Sequence, residues 1–262
     1  MAQHVQDTPK QHKKADQYDD PDYNYLHYWD GRDYEHGAEE IAIRRLLKGK
    51  HFGKAVDIGG GYGRLCLLLE QYADKVVLAE PSQQQLDIAE DFLKDHKEIE
   101  RKLVQASDLG LADGSVDLIT IVRVLHHLPD PTPELAEIAR VLSDDGYAII
   151  EMANYAHARN RLKHLLRGTK LPVRPVDIRS AQNKKNKDEI PFVNHNPHTM
   201  MRQLSHAGLR VERILSVSNL RSPRLKRMFS VKTMLRAEKA LQVPLAPAFF
   251  GPSVFFLVRK AE

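Results

Sequence analysis

A single cysteine, Cys66, stands among 262 residues. That excludes an intrachain disulfide and any cysteine-based zinc site, and points to a reducing, cytoplasmic compartment. Long apolar runs are also missing. The longest uncharged stretch, 243–258, is broken by Pro244, Pro247, Gly251 and Pro252 and falls short of the ~20 residues that cross a bilayer. No apolar segment of a secretory leader follows the first residues, so neither a leader nor a membrane span is expected. The composition, 28% charged and 42% hydrophobic, is that of a globular chain with a sizeable core.

Charge is plentiful but unevenly placed. Residues 1–150 carry a net −11, residues 151–240 a net +14 and the remainder +1. A block of one sign marks a separate functional zone, here one that attracts an anionic or amphiphilic partner or shows its cations to water. In 220–242, Leu225, Met228 and Phe229 share a helical face flanked by Lys226, Arg227, Lys232 and Arg236. The pattern fits a helix capping a substrate pocket and, less well, one lying on an acidic membrane.

Periodicity divides the chain into five stretches. Residues 1–22 are polar and aperiodic and read as a tail; 23–50 hold an aromatic cluster (Tyr23, Tyr25, Tyr28, Trp29, Tyr34) and a helix over 35–48. Between 51 and 152, strands near 54–58, 75–79, 101–105, 116–124 and 147–152 alternate with helices. Such crossovers are long enough only for parallel pairing, giving a doubly wound α/β sheet with helices on both faces. Thr132 with Pro133 reads as the start of a helix, and Asp144-Asp145-Gly146 as a turn. Residues 153–208 form a basic insertion with helices near 154–167 and 198–207, and 209–262 supply strands at 209–217 and 253–259 across a helical excursion. These last two pair antiparallel at the sheet edge, making seven strands.

Ligands of open α/β sheets sit at the carboxyl ends of the strands. There the first strand delivers Asp57 and the turn Gly59-Gly60-Gly61-Tyr62-Gly63. The dinucleotide fingerprint G-x-G-x-x-G does not fit, because Arg64 holds its third glycine position. Glu80 ends the second strand, where a carboxylate can accept both hydroxyls of a ribose. Asp108 follows the third, where it can accept from an exocyclic amine or simply form a turn.

The run Val56-Asp57-Ile58-Gly59-Gly60-Gly61-Tyr62-Gly63-Arg64, with Ala79-Glu80-Pro81, Ala106-Ser107-Asp108-Leu109 and Asp117-Leu118-Ile119 leading to Leu125-His126-His127-Leu128, resembles the class I S-adenosylmethionine-dependent methyltransferases. The likeness covers 54–152 and is strongest to small-molecule and quinone methyltransferases. It implies S-adenosyl-L-methionine as cofactor, with Asp57, Gly59, Gly61 and Gly63 around the methionine moiety, Glu80 and Pro81 at the ribose, and Asp108 with Leu109 at the adenine. Tyr28, Trp29, Arg32 and Tyr34 would form a lid, Tyr28 and Arg32 touching the cofactor. Arg123 lies where the family's backbone contacts the cofactor, and a charged residue there departs from the pattern.

Methyl transfer from a sulfonium needs alignment in a dry pocket, and a base only when the acceptor is a hydroxyl or carbon acid. His126 and His127 follow the fourth strand and are the candidate bases. Arg-Val-Leu-His at 123–126 replaces the Pro-Pro-aromatic signature of amino-methylating enzymes, which argues against a DNA-base acceptor. His195, His198 and His206 lack a ligand pattern and read as surface residues, not as a metal site. The segment 192–197 reads as a wall of the acceptor site. The expected activity is methyl transfer to a small-molecule acceptor. RNA methylation through the basic segment, and cofactor binding without catalysis, are the alternatives; too few aromatics interleave the basic residues to favour RNA.

Overall fold

The computed structural model describes residues 29–181, 183–185 and 191–261. The tail at 1–22 and Tyr23, Tyr25 and Tyr28 lie outside the described residues. The elements run α1 (Asp33–Leu46), β1 (Phe52–Ile58), α2 (Cys66–Leu69), β2 (Ala73–Glu80), α3 (Gln83–Phe92), β3 (Glu100–Leu103) and β4 (Val116–Ile121). After a 3-10 turn at Leu125–His127 come α4 (Thr132–Val141), β5 (Leu142–Ala153), α5 (Ala158–Leu166), β6 (Val176–Asp177) and β7 (Val193–Asn194). The chain continues through α6 (Pro197–His206), β8 (Leu209–Val217), α7 (Pro223–Met228), α8 (Val231–Leu241) and β9 (Ser253–Lys260).

Seven strands form one sheet in the order β3-β2-β1-β4-β5-β9-β8, and β6 pairs with β7 in a separate ribbon. β1 to β5 are mutually parallel, while β9 is antiparallel to both β5 and β8. The reversed strand is therefore inserted one place in from the edge, and β8 forms the edge itself.

Alternation along the strands builds two cores. Ala55, Val76, Leu78, Leu118, Ile149, Phe255 and Leu257 face α1, α2 and α3. Their neighbours Val56, Val77, Ile119, Ile150, Phe256 and Val258 face α4 and α6. Both sets are buried, so the central strands read as near-continuous apolar runs, as sheets covered on both faces do. Each fully buried large side chain contributes about 1.5–3 kcal/mol of transfer free energy.

Several local expectations are corrected. The fourth α-helix starts at Thr132, one residue earlier than its Pro133 suggested, because Asp130 Oδ1 accepts from the Thr132 N–H and hydroxyl. Asp144 to Gly146 lie within β5, whose pairing with β4 absorbs a register shift. The basic helix expected from 154 starts at Ala158, after a bridge from Asn154 to His195. The helix after the glycine turn is only one turn long. The excursion at 220–242 is two helices: Ser230 accepts from Thr233 N and starts α8 afresh. The single face joining Leu225 to Lys232 therefore does not form.

α8 packs on α1. Tyr34 donates its hydroxyl proton to Glu238 Oε2 at 2.7 Å, and Glu238 also accepts from Asn219. This clasp fixes α1 across the sheet's amino-terminal helical layer and positions its acidic face toward the glycine turn.

Candidate functional site

The glycine turn leaves β1 beside the point where strand order reverses between β1 and β4. Gly59, Gly61 and Gly63 have φ of +63°, +59° and +87°, values that side-chain-bearing residues rarely adopt. A Cβ on Gly59 would lie 2.4 Å from Val124 Cγ2, and one on Gly60 would lie 2.5 Å from Asp57 Oδ2. The turn thus packs directly on the residues that follow β4 and on the carboxylate of its own strand.

Glu80 ends β2 with its carboxylate against this turn. Oε2 accepts from Gly61 N at 2.8 Å and Oε1 from Ser82 N at 3.0 Å. Glu80 is thus braced by the backbone on both carboxylate oxygens. A cavity of about 230 Å³ opens here, lined among others by Gly59, Gly61, Glu80, Pro81, Gln85 and His127. Gln105, Ala106, Ser107, Val124 and Leu128 form its further walls, with Arg123 and Glu134.

The expected residues are distributed unevenly around it. Gly59, Gly61, Glu80, Pro81, Arg123 and His127 line the cavity. Asp57 lines an adjoining recess with Gly59, Gly60 and Arg64. Asp57 is fully buried; its Oδ1 accepts from the Thr120 hydroxyl at 2.6 Å, and burial pushes its carboxyl up to about 6 despite that bond. Gly63 packs toward Leu93 instead. Asp108 caps its own turn, accepting from Gly110 N, and Leu109 donates its N–H to Glu137 Oε1 on α4; the neighbouring Gln105, Ala106 and Ser107 are what reach the cavity. Arg32 caps the start of α1, its N–H bonded to the Trp29 carbonyl. Tyr28 lies outside the described residues.

The two histidines differ. His127 faces the cavity, and burial lowers its pKa to about 4. Its Nδ1 lies 3.4 Å from the Pro191 carbonyl, a contact in which only the ring nitrogen can donate. His126 is buried behind it, 4.0 Å from the His127 ring and 4.3 Å from Phe192. Burial, then His127, hold it well below the usual histidine range. His195 is not at the surface as expected: it is buried, and its Nε2 donates to the Leu125 carbonyl at 2.8 Å, pinning the 3-10 turn. His198 and His206 are exposed.

Two features escaped sequence reasoning. Gln85 is buried in the cavity wall with both side-chain amide atoms lacking a partner among the described residues, and Glu134 Oε2 is likewise unpartnered among them. Three consecutive glutamines at 83–85 offer no signal for which faces inward, beyond the helical spacing that buries Leu86 and Ala89. The second is an ion-pair hub. Buried Glu39 receives Arg64 at 2.8 Å and Arg123 at 2.6 Å, and both guanidiniums lie over Trp29, 3.8 and 4.8 Å from the ring. Arg123, with φ +60°, is held there by its own N–H bond to Glu151. The departing charge at 123 is thus a tie between the site and α1.

Residues 56–150 match the family model described as a methyltransferase domain. A Dictyostelium discoideum protein named as a methyltransferase is 38% identical over 96 residues, 37% of this chain and 35% of its own length. The ubiquinone biosynthesis O-methyltransferase of Thiobacillus denitrificans is 30% identical over 128 residues, 48% of this chain and 52% of its own. The chain thus spans from about a third to about half of the curated relatives it matches. Among solved structures, an S-adenosylmethionine-dependent methyltransferase of Thermotoga maritima superposes with a TM-score of 0.60 at 19% identity, covering 90% of this chain and 95% of its own. A chain from the complex of Haloferax volcanii Trm112 with a methyltransferase gives 0.61 at 16% identity, covering 95% and 99%.

Residues 56–150 thus match a methyltransferase domain, and the sheet order is the fold of the methyltransferase structures on which the chain superposes.

Among the described residues, no helix is long and apolar enough to cross a membrane.

Proposed function

We propose that the protein transfers a methyl group from S-adenosylmethionine to a small-molecule acceptor. The observation that carries this reading is the Glu80 carboxylate, braced by Gly61 and Ser82 N–H groups at the rim of a cavity built from the glycine turn. The residues present fit the group. Glu80 would accept from the ribose hydroxyls. The orphaned Gln85 amide and Glu134 carboxylate are buried donors and acceptors that a nucleoside would satisfy. Gln105, Ala106, Ser107 and Leu128 form the walls for a flat base. Asp57, in the adjoining recess, would meet the cationic amino-acid end.

When bound, the cofactor supplies an electrophilic methyl on a sulfonium whose departure as a thioether needs no acid. The chain's own residues position and desolvate. Gly59 and Gly61 allow close backbone approach, Val124 and Leu128 exclude water, and Phe192 stacks behind the histidines. His127 is neutral at pH 7 and its Nε2 can accept the acceptor's proton at the cavity face. A pKa of about 4 makes it a weak base that releases the proton readily to water. His126 orients His127 through ring contact.

A small acceptor is favoured over RNA because most described basic residues of 151–240 are dispersed over α5, α6, β8, α7 and α8, and only Arg159, Arg221 and Lys226 gather in one recess, too few to follow a phosphate backbone. The cytoplasmic reading accords with the single buried thiol. Calorimetry tests the core of the proposal: wild type should bind S-adenosylmethionine and S-adenosylhomocysteine, and absence of both would end it. Isotope-labelled methyl donor incubated with a metabolite extract and, separately, with RNA then distinguishes the acceptor classes. His127→Ala should leave cofactor affinity within about twofold while lowering turnover on the order of 10²-fold, the usual scale for a lost base. Unchanged turnover would remove the base role and leave positioning alone.

A further inference from the structure

A second cavity, of about 490 Å³, opens beyond the carboxyl ends of β5 and β8. It lies between α1, the first turn of α5 and the start of α7, with His157, Arg159, Arg221, Lys226 and Glu35 on its walls. Its charge is lopsided. Glu35 is its one acid; buried to 3% side-chain exposure, it receives Lys226 Nζ at 2.7 Å and Arg221 Nε at 3.4 Å. Arg159 has no ion pair or side-chain hydrogen bond among the described residues. Three fixed cations therefore face one carboxylate. α5 adds to the imbalance: its first turn lines the cavity and its N-cap, His157, makes no side-chain cap, although Ala158 N is taken by the Phe250 carbonyl. Ser222 and Asn219 are also in the lining, with the Asn219 side-chain amide held by Ser216 and Glu238.

The second cavity shares no lining residue with the first and is linked to it through α1. Glu35 and Glu39 sit one turn apart on α1, about 5–6 Å along its axis, and Glu39 holds Arg123, which lines the first cavity. A molecule anchored by its charge at Arg159 and Arg221 would extend toward that wall. A neutral or cationic molecule would leave the excess cations at Arg159 and Arg221 to solvent alone.

We propose that this second cavity holds the oxyanion end, a carboxylate or phosphate, of the methyl acceptor. The assignment rests on the methyltransferase reading and adds the acceptor's class: a small organic anion with the methylated atom at its other end.

The test uses the full chain saturated with S-adenosylhomocysteine, titrated with sodium benzoate, inorganic phosphate or chloride at constant ionic strength and followed by amide chemical shifts. At least one oxyanion should bind, saturably and more tightly than chloride, with the largest shifts at 157–160 and 218–226. Preference between benzoate and phosphate identifies which anion the acceptor carries. Arg159→Glu, on an exposed side chain that no other residue needs, should weaken binding tenfold or more. Lys163→Glu, the same charge change on the same helix outside the cavity, should weaken it less than twofold. Equal losses in the two variants, or no oxyanion binding better than chloride, would overturn the assignment. Cofactor binding is read in the same samples. Normal S-adenosylhomocysteine affinity without anion binding removes only this inference, whereas anion binding without cofactor affinity removes the methyltransferase reading and leaves an anion site.

Discussion

Asp57 is fully buried and engaged by Thr120, yet its carboxyl titrates near 6 because burial outweighs the hydrogen bond. An acid whose folded pKa lies above its unfolded value binds a proton in the native state that the unfolded chain has already lost. Its contribution to stability therefore falls as pH rises from about 4 to about 6 and is level above that window. Asp57→Asn should flatten this part of the profile of denaturant midpoint against pH. A cation placed beside Asp57 would draw its pKa down. Cofactor binding near pH 5.5 should then release protons, visible as a calorimetric enthalpy that depends on the buffer's ionisation heat, and Asp57→Asn should abolish that dependence. Two further substitutions act on the turn itself. Gly59→Ala sets a Cβ 2.4 Å from Val124 at a φ of +63°, and should weaken cofactor binding tenfold or more by calorimetry. Glu80→Ala removes both the turn's brace and the diol acceptor, and should weaken binding by about 1.5–3 kcal/mol, the scale of hydrogen bonds to a charged group.

At the scale of elements, the decisive contacts join α1 to the parallel core. Glu39 is the shared acceptor for Arg64 and Arg123, all three largely shielded from water. Removing one partner of such a cluster costs about 3–5 kcal/mol, because the remaining charges stay buried. Glu39→Gln should accordingly lower the denaturant midpoint strongly, and Glu40→Gln on the half-buried side of the same helix should not. Ser230→Ala should cost about 1 kcal/mol through loss of the α8 cap. The sequence made the parallel strands legible, because β-branched runs such as Val116–Ile121 and turn residues such as Gly59–Gly63 obey local rules. It also carried Glu80, which is defined by its place at a strand end. What it concealed depends on distant partners. His195 looks like any polar insertion residue until β7 carries it under the Leu125 carbonyl. Glu39 is one of several acids on α1, and only the fold brings Arg64 and Arg123 to it. The break at Ser230 was legible in principle, as a serine preceding a helical pattern, but continuous apolar periodicity masked it.

For the molecule as a whole, the division into an acidic first part and a basic second part dissolves in three dimensions. Glu35 of the acidic half meets Arg221 and Lys226 of the basic half, and Arg45 donates to the Lys239 carbonyl. The excess cations around the second cavity are what this neutralisation leaves over.

The position of β9 has a consequence for how the chain is made. Its pairing with β5 closes the parallel sheet, and its pairing with β8 is what attaches the outermost strand. Yet β9 leaves the ribosome about a hundred residues after β5, a delay of roughly 5–20 s at ordinary elongation rates. Throughout that interval the apolar edge of β5, with Ile149, Ile150 and Met152, has no neighbour. The nascent protein is therefore an unfinished sheet with a sticky edge for about a hundred residues of its synthesis, and a chain stopped before residue 253 should be a chaperone client or an aggregate, however well its cofactor turn is formed.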